Sequence, residues 1–334
     1  MRKFALPRAA AALLALLLAA GCAPVVKPMG PELAEPKIAG DAIVAPDGAR
    51  LPLRRWMPEG PPEAVILALH GFNDYSLAFD RPGAWFAARG IASYAYDQRG
   101  FGGAPNRGYW AGITTMTADL RAAAASLRAR HPGIPLYLLG DSMGGAVVLA
   151  ALAEGPVDGA AGAVLVAPAV WGRAHMNAFQ RALLWVVSRS MPWLTLTGRG
   201  LGKQASDNIE MLRALGRDDL VIKETRADTI KGLVDLMDAA YAAAPQIRKP
   251  KLLMLYGARD QIVPENPVIE AMRALPPGHG HRTALYDSGW HMLLRDLAAE
   301  SVWRDIAAWV KNPAAPLPSG AEAAAATAIA AERP

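Results

Sequence analysis

The chain has 334 residues, which is enough for one large domain or two small ones. Hydrophobic residues make up 52% of it and charged residues 19%. This balance allows a sizeable core and excludes wholesale disorder. The net charge of +5 at pH 7 is modest for this length. The basic residues are scattered along the chain, so we do not expect nucleic acid as a partner.

The first 22 residues have the layout of an export signal. A basic start, MRKFALPR, is followed by an apolar run, AAAALLALLLAA, which is too short to predict a membrane-spanning helix. The run ends in LAAGC, and this ending resembles the signal of bacterial lipoproteins, in which a cysteine after small residues is lipidated and becomes the first mature residue. We therefore expect residues 1–21 to be a signal peptide and Cys22 to carry a lipid.

Cys22 is the only cysteine of the chain, although export would permit disulfides. Acyl chains on Cys22 would hold the protein to a membrane of the bacterial cell envelope while its body stays in water. The alternative is a chance cysteine at the end of an ordinary cleavable signal, which would give a secreted or periplasmic protein.

Two flanking segments show no clear period. Residues 22–40 hold four prolines, which predicts a flexible tether behind the lipidated cysteine. Residues 312–334 are rich in alanine and proline and predict a disordered tail. The folded body is therefore expected to span residues 41–311.

Short apolar runs of strand type recur along this body. They are EAVILALHG (63–71), IASYAYD (91–97), PLYLLGD (135–141), GAVLVAP (162–168), KLLMLYG (251–257) and HRTALYD (281–287). Strands that are apolar along their whole length are typical of a parallel sheet covered on both faces. The earlier stretches DAIVAP and RLPLRRWMP would add a hairpin at the sheet edge.

Longer helical patterns lie between these runs and end at glycine, proline or a polar turn. They fall within residues 76–90, 115–131, 144–155, 267–275 and 295–311. The alternation predicts an α/β fold with a mostly parallel central sheet flanked by helices. More than eighty residues without a convincing strand separate GAVLVAP from KLLMLYG. Because this is too long for a bare loop, we expect a helical cap over about residues 170–247, inserted after the sixth strand.

Three polar residues suited to acyl chemistry follow predicted strands. Ser142 follows LYLLG and opens a helix, Asp260 follows KLLMLYG, and His291 follows TALYD. In open α/β sheets, ligands bind at the carboxyl ends of the strands. The order serine, acid, histidine is that of α/β-hydrolases, so we expect these three side chains to meet.

Residues 140–144, GDSMG, fit the G-x-S-x-G nucleophile elbow, in which the serine occupies a strained turn between strand and helix. A serine hydroxyl is a weak nucleophile and needs a base within hydrogen-bond reach. His291 would take the proton of Ser142 and later protonate the leaving group, while Asp260 would fix the histidine tautomer.

Other candidates fit these roles less well. His175 lies in the predicted cap and precedes the acid, and Asp287 lies only four residues before His291. Asp141 adjoins the nucleophile, where a role in the local turn is favoured. His70 is expected to be a buried residue that ties down its loop.

The tetrahedral intermediate of acyl transfer needs hydrogen-bond donors for its oxyanion. The backbone N–H of Met143, directly after the nucleophile, is one candidate. The second donor should come from the loop that follows the third strand. This loop reads LHGFNDYS, so we expect the N–H of Phe72 to be the second donor.

Five motifs in order, LHGFNDYS, YDQRGFGGAPNRG, GDSMGG, GARDQIVP and GWHMLLRD, resemble the monoacylglycerol lipase and lysophospholipase branch of the α/β-hydrolases. The resemblance covers most of residues 41–311. It implies hydrolysis of carboxylic esters of lipids or small acyl compounds, without a metal or an organic cofactor. It also implies Ser142 as nucleophile, Asp260 as acid, His291 as base, and Phe72 and Met143 as oxyanion donors. The loop departs from some members by reading HGFND.

The predicted cap is both apolar and basic. Phe179, Leu183 and Val187 recur at helical spacing, and several arginines punctuate the same region. One interpretation is a helix that packs on the sheet domain, and the other is an amphipathic lid that touches anionic lipid. For function, the alternatives to a lipid esterase are a serine peptidase or amidase, a short-chain carboxylesterase, and a non-catalytic envelope scaffold.

Overall fold

The computed structural model describes residues 23–198, 200 and 202–331. The predicted signal peptide and Cys22 lie outside the described residues. No helix in the described part of the chain has the length and apolar character needed to cross a membrane.

Within the described residues, nine strands form one sheet in the order β1-β2-β3-β5-β4-β6-β7-β10-β11. Their bounds are β1 (Lys37–Ala39), β2 (Ala42–Val44), β3 (Arg50–Trp56), β4 (Ala64–Leu69), β5 (Ile91–Tyr96), β6 (Leu136–Asp141), β7 (Ala160–Val166), β10 (Lys251–Gly257) and β11 (Arg282–Tyr286). The first three strands are antiparallel to their neighbours, and the six from β4 onward pair in parallel. The prediction of a mostly parallel α/β sheet is confirmed.

Helices cover both faces of this sheet. Outside the cap they are α1 (Asp80–Ala87), α2 (Ile113–Arg130), α3 (Met143–Glu154), α7 (Glu265–Ala274), α8 (Ala299–Lys311) and α9 (Ala321–Ala331). Helices α1 and α8 bury aromatic side chains such as Phe86 and Trp309 on one face, and α2, α3 and α7 form the larger core on the other. Strands β4, β5 and β6 are buried along their whole length, which accounts for their continuous apolar runs.

The cap follows β7. It contains α4 (Ala178–Ser190), β8 (Thr195–Leu196), α5 (Ile209–Arg217), β9 (Thr225–Arg226) and α6 (Ala227–Ala243). Helix α5 was not predicted. The strand before the cap is the seventh in the chain, not the sixth, because residues 37–39 add a strand in the segment predicted as tether.

The structure corrects the prediction of a flexible tether over residues 22–40 for the part that it describes, residues 23–40. The N–H of Val25 donates to Asp228 Oδ2 at 3.1 Å, and the N–H of Met29 donates to Thr115 Oγ1 at 3.0 Å. Lys27 donates its N–H to the carbonyl of Trp110 at 2.8 Å. Acceptors of the folded body thus hold this segment in place, although its sequence has no period of its own.

The structure also corrects the prediction of a disordered tail over residues 312–334, for the part up to residue 331. Leu317 and Ala325 are buried, and Arg282 of β11 donates to Glu322 at 2.6 Å. The N–H of Ser319 donates to the buried carboxylate of Asp305 at 2.9 Å. Alanine has the highest helix propensity, so an alanine-rich end forms a helix once it has a surface to pack on.

Truncation after Asn312 is expected to lower the free energy of unfolding by at least about 2 kcal/mol, since it exposes apolar surface and leaves the carboxylate of Asp305 with fewer partners. Thermal unfolding of the truncated and full chains measures this as a melting temperature lowered by several degrees. Equal melting temperatures would show that the tail adds nothing to the fold.

Candidate active site

Ser142 occupies a sharp turn between β6 and α3. Its backbone has φ 50° and ψ −111°, a left-handed conformation that non-glycine residues rarely adopt. The N–H of Ser142 donates to the carbonyl of Val166 at 2.9 Å, and its carbonyl accepts the N–H groups of Ala146 at 3.2 Å and Ala169 at 3.0 Å. These contacts from two neighbouring segments hold the strained residue in place.

The flanking glycines allow the strand and the helix to approach each other. A Cβ atom at Gly140 would lie 2.5 Å from the backbone nitrogen of Gly145, and one at Gly144 would lie 2.1 Å from the carbonyl oxygen of Leu69. Both distances are far below van der Waals contact. Any side chain at these two positions would therefore push α3 away from the sheet and displace Ser142.

His291 and Asp260 meet Ser142 at the carboxyl edge of the sheet. His291 Nε2 lies 3.0 Å from Ser142 Oγ, and His291 Nδ1 lies 2.7 Å from Asp260 Oδ2. The other oxygen of Asp260 accepts the backbone N–H groups of Ile262 at 2.7 Å and Val263 at 3.0 Å. A carboxylate can only accept, so Nδ1 of a neutral His291 carries the proton and Nε2 is free to accept the proton of Ser142.

The electrostatics of His291 follow from two opposing effects. Burial lowers the pKa of its imidazole, because desolvation disfavours the charged form. The negative charge and hydrogen bond of Asp260 and the charge of Asp141 raise it and prevail, so the pKa of His291 is above its ordinary 6.5. Burial raises the pKa of Asp141 to about 6, so Asp141 is charged at neutral pH.

The raised pKa of His291 sets the expected pH dependence. A protonated imidazole cannot accept the proton of Ser142, so kcat/KM should rise with pH through a pKa above 6.5. Asp141→Asn removes one of the charges that raise this pKa, and the acid limb of the pH–rate profile should move to lower pH. Steady-state rates on a water-soluble ester measure the shift. An unmoved limb would mean that Asp141 does not act on His291.

Contacts that the sequence did not reveal fix the His291 loop. The carboxylate of Asp296 accepts the N–H of Trp290 at 2.7 Å and the hydroxyl of Ser206 at 2.6 Å. The N–H of Met292 donates to the carbonyl of Ala205 at 2.9 Å. Ser206 and Asp296 lie 90 residues apart in the chain, and Ala205 is similarly far from Met292, so no local pattern signals that the cap supports the histidine.

Hydrogen bonds of His70 hold the loop that carries Phe72. His70 is fully buried; its Nδ1 lies 2.8 Å from the carbonyl oxygen of Gly71, and its Nε2 accepts the N–H of Gln98 at 3.0 Å. His70 is therefore a neutral residue that ties down the loop, as predicted. A Cβ atom at Gly71 would lie 3.4 Å from the Cβ of Ser142, so the loop backbone passes directly beside the serine.

A buried ion pair between Arg295 and Asp74 lies in the loop that follows Phe72. The sequence did not predict it. Arg295 donates to the carboxylate of Asp74, which also accepts the N–H of Tyr75 at 2.9 Å. The charge of Arg295 acts on both Asp141 and His291. The pair thus joins the loop of the predicted oxyanion donor to the loop of the histidine.

The predicted rivals lie in other contacts. His175 lies 2.8 Å from Glu270 Oε2, which also accepts the hydroxyl of Tyr241 at 2.5 Å. Asp287 is exposed at the end of β11. The side chains that bind His291 are those of Ser142 and Asp260, so neither His175 nor Asp287 takes a place in this series.

The sequence is similar to those of known lipases. Monoglyceride lipase of Rattus norvegicus is 25% identical over 278 residues, covering 81% of this chain and 89% of that protein. Monoacylglycerol lipase of Mycolicibacterium smegmatis is 24% identical over 268 residues, covering 79% of this chain and 93% of that protein.

Among solved structures, Paleococcus ferrophilus monoacylglycerol lipase superposes with a TM-score of 0.67 at 23% identity, covering 79% of this chain and 99% of that one. This likeness shows the shared fold. The family model described as "Serine aminopeptidase, S33" matches residues 60–298. This span contains β4 and the three residues Ser142, Asp260 and His291. The chain belongs to this family of α/β-hydrolases.

Proposed function

We propose that the protein is a serine ester hydrolase that cleaves lipid esters of the monoacylglycerol or lysophospholipid type. The observation that carries the proposal is the hydrogen-bonded series Ser142–His291–Asp260, with distances of 3.0 and 2.7 Å. Ser142 Oγ attacks the ester carbonyl carbon while His291 Nε2 takes its proton. His291 then gives that proton to the leaving alcohol, and an acyl group remains on Ser142.

Water completes the cycle. His291 takes a proton from a water molecule, the resulting hydroxide attacks the acyl carbonyl, and the proton returns to Ser142 Oγ as the fatty acid leaves. Asp260 stays ionised throughout and stabilises the imidazolium that forms in each half of the reaction. The pKa of His291, already raised by this carboxylate, suits a group that must hold a proton between the two steps.

The N–H groups of Met143 and Phe72 are the proposed donors to the oxyanion. Met143 is the first residue of α3, where an N–H has no acceptor within its own helix. The carbonyl of Gly71 accepts from the N–H of Asp74 at 3.3 Å and faces His70 Nδ1. In a trans peptide the N–H points opposite to the carbonyl, so the N–H of Phe72 points away from this loop interior.

A lipid substrate is supported by the cap and by the relatives. A cavity of about 360 Å³ in the cap is lined mostly by apolar side chains, among them Trp171, Leu184 and Val234. Trp171 lies two residues beyond Ala169, whose N–H binds the carbonyl of Ser142. Apolar walls with few polar groups suit an acyl chain. The named relatives are monoglyceride and monoacylglycerol lipases.

Hydrolysis of a series of monoacylglycerols and p-nitrophenyl esters of increasing acyl length tests this proposal. We expect kcat/KM to rise from short to medium or long chains. The family description favours a second candidate, an aminopeptidase, so aminoacyl p-nitroanilides belong in the same assay. Faster turnover of the anilides would replace the esterase proposal with a peptidase, and a preference for the shortest esters would leave a carboxylesterase without a lipid substrate.

We also propose that Cys22 is lipidated and anchors the protein in the bacterial cell envelope. The proposal rests on the LAAGC ending of the export signal. Metabolic labelling with a fatty-acid analogue should mark the wild-type protein and leave Cys22→Ser unmarked. Label that persists in Cys22→Ser would contradict the anchor.

A further inference from the structure

The cap binds the loop of the proposed oxyanion donor through a short segment of its own. This segment, residues 218–226, connects α5 to α6, and we call it the return segment. Asn73 Nδ2 donates to Thr225 Oγ1 at 2.7 Å, and the carbonyl of Asn73 accepts the N–H of Ile222 at 2.9 Å. The residue that follows Phe72 is thus held by the cap through both its side chain and its backbone.

Tyr75 adds a third contact between the loop and the return segment. It is buried, and its hydroxyl donates to Asp218 Oδ2 at 2.7 Å. The other oxygen of Asp218 accepts the N–H of Leu220 at 2.8 Å. Thr225 pairs with Leu196 in the two-stranded sheet of β8 and β9. The return segment is therefore ordered by contacts within the cap and can hold the loop in one position.

Asn73 occupies the position that sets the course of this loop. Residues 71–74 form a turn in which the N–H of Asp74 donates to the carbonyl of Gly71 at 3.3 Å. Asn73 is the third residue of the turn and has φ 64°, and a positive φ at this position is what a type II turn requires. If the backbone relaxes at Asn73, the turn opens, and the N–H of Phe72, which belongs to the turn, changes direction.

Asparagine at position 73 lowers stability in two ways that glycine would not. A left-handed φ is strained for a residue with a Cβ atom and is free of strain for glycine. In addition, Asn73 Oδ1 is buried and accepts no hydrogen bond from the residues that the structure describes, and a buried acceptor without a partner is unfavourable. What Asn73 provides and glycine could not is the hydrogen bond of its amide to Thr225.

We propose that Asn73 is a positioning residue for the oxyanion hole: the return segment holds Asn73, and Asn73 keeps the N–H of Phe72 directed at the oxyanion. The inference rests on the proposed serine hydrolase activity. Met143, the other proposed donor, belongs to α3 and lies outside these contacts. Loss of the cap contact should therefore weaken one of the two donors and leave the other intact.

Thr225→Val removes the acceptor of the Asn73 amide and keeps the branched shape of the side chain. Deletion of one oxyanion donor typically lowers kcat by about 10²- to 10³-fold. Because the N–H of Phe72 would be misdirected and not deleted, we expect kcat for p-nitrophenyl butyrate to fall about 10-fold, with KM within about twofold of the wild-type value. Thr225→Ser keeps the hydroxyl and should restore the rate.

A trifluoromethyl ketone of the same acyl length reports on the oxyanion hole directly. Ser142 Oγ adds to its carbonyl carbon while His291 takes the proton, and the former carbonyl oxygen becomes an anion that both donors bind. Its inhibition constant should therefore rise about 10-fold in Thr225→Val, in parallel with the loss of kcat. A loss of folded protein alone would lower kcat and leave this inhibition constant unchanged.

Thr229→Val is the matched control. Thr229 is a buried threonine of α6 whose hydroxyl also ties the cap to the body, by donating to the carbonyl of Gly108 at 2.9 Å. We expect the wild-type kcat and inhibition constant for this variant, even where its melting temperature falls as far as that of Thr225→Val.

A second variant tests the same hydrogen bond from the loop. Asn73→Gly keeps the left-handed backbone and lacks the amide, so it should show the same loss as Thr225→Val. The double variant Asn73→Gly/Thr225→Val should lose no more than either single variant, because both substitutions remove one hydrogen bond. The wild-type kcat and inhibition constant in Thr225→Val would overturn the proposal, as would losses that multiply in the double variant or an equal loss in Thr229→Val.

Failure of this inference is distinguishable from failure of the proposed function. A wild-type protein that hydrolyses esters, with Thr225→Val equal to it, would refute the positioning role alone. A wild-type protein that cleaves aminoacyl anilides instead would pass through an oxyanion of the same kind, and the variants would then show their losses on that substrate. A wild-type protein that turns over neither substrate would refute both proposals.

Discussion

Ser142→Ala is expected to reduce kcat on a p-nitrophenyl ester by about 10⁵- to 10⁶-fold, because the reaction loses its nucleophile while the oxyanion donors and the pocket remain. The hydroxyl that is lost is the one that lies 3.0 Å from His291 Nε2. Initial-rate measurements with the purified protein determine the ratio.

Ser126→Ala is a suitable control for this substitution. Ser126 is buried in α2 and donates its hydroxyl to the carbonyl of Ala122 at 2.8 Å, so its replacement changes a buried serine without touching the site. We expect nearly wild-type rates. Substantial turnover in Ser142→Ala would show that another residue is the nucleophile.

Asp260→Asn is expected to reduce kcat by about 10⁴-fold through a change of histidine tautomer. Oδ1 of Asp260 accepts two backbone N–H groups, from Ile262 and Val263, so the oxygen of an asparagine side chain must remain there. The amide NH₂ then faces His291 Nδ1 and donates to it. His291 would carry its proton on Nε2, which could no longer accept the proton of Ser142.

Asp287→Asn provides the matched comparison, because Asp287 lies only four residues before His291 in the chain and is exposed. Its rate should stay near that of the wild type. The two variants measured together on one ester identify the acid: a larger loss in Asp287→Asn than in Asp260→Asn would reverse the assignment.

Much of the fold could be predicted because the central strands are buried on both faces. The apolar runs around residues 64–69, 91–96 and 136–141 coincide with β4, β5 and β6, since no polar side chain can face solvent there. The positions of Ser142, Asp260 and His291 after strand ends followed from the same reasoning, and the structure brings the three side chains together. Their catalytic roles remain predictions.

The terminal segments could not be predicted in this way. The order of residues 25–39 depends on acceptors supplied by distant groups such as Asp228 and Trp110, and a local pattern cannot report them. The alanine-rich end lacks an amphipathic stripe, so its docking on β11 through Leu317 and Glu322 is also invisible in composition. Helix α5 is a different case: it buries none of its residues fully, yet its apolar residues Met211, Leu212 and Leu215 recur at helical spacing, so its sequence pattern could have revealed it.

At position 142, the residue that catalysis needs lowers the stability of the fold. A non-glycine residue held at φ 50° costs about 1–3 kcal/mol, and glycine at the same place would remove that cost together with the hydroxyl. The most stable residue at position 142 is therefore one that cannot catalyse. A directed-evolution campaign that selects for heat resistance alone would drift toward an inert enzyme, so any such library of this protein needs an activity screen in every round.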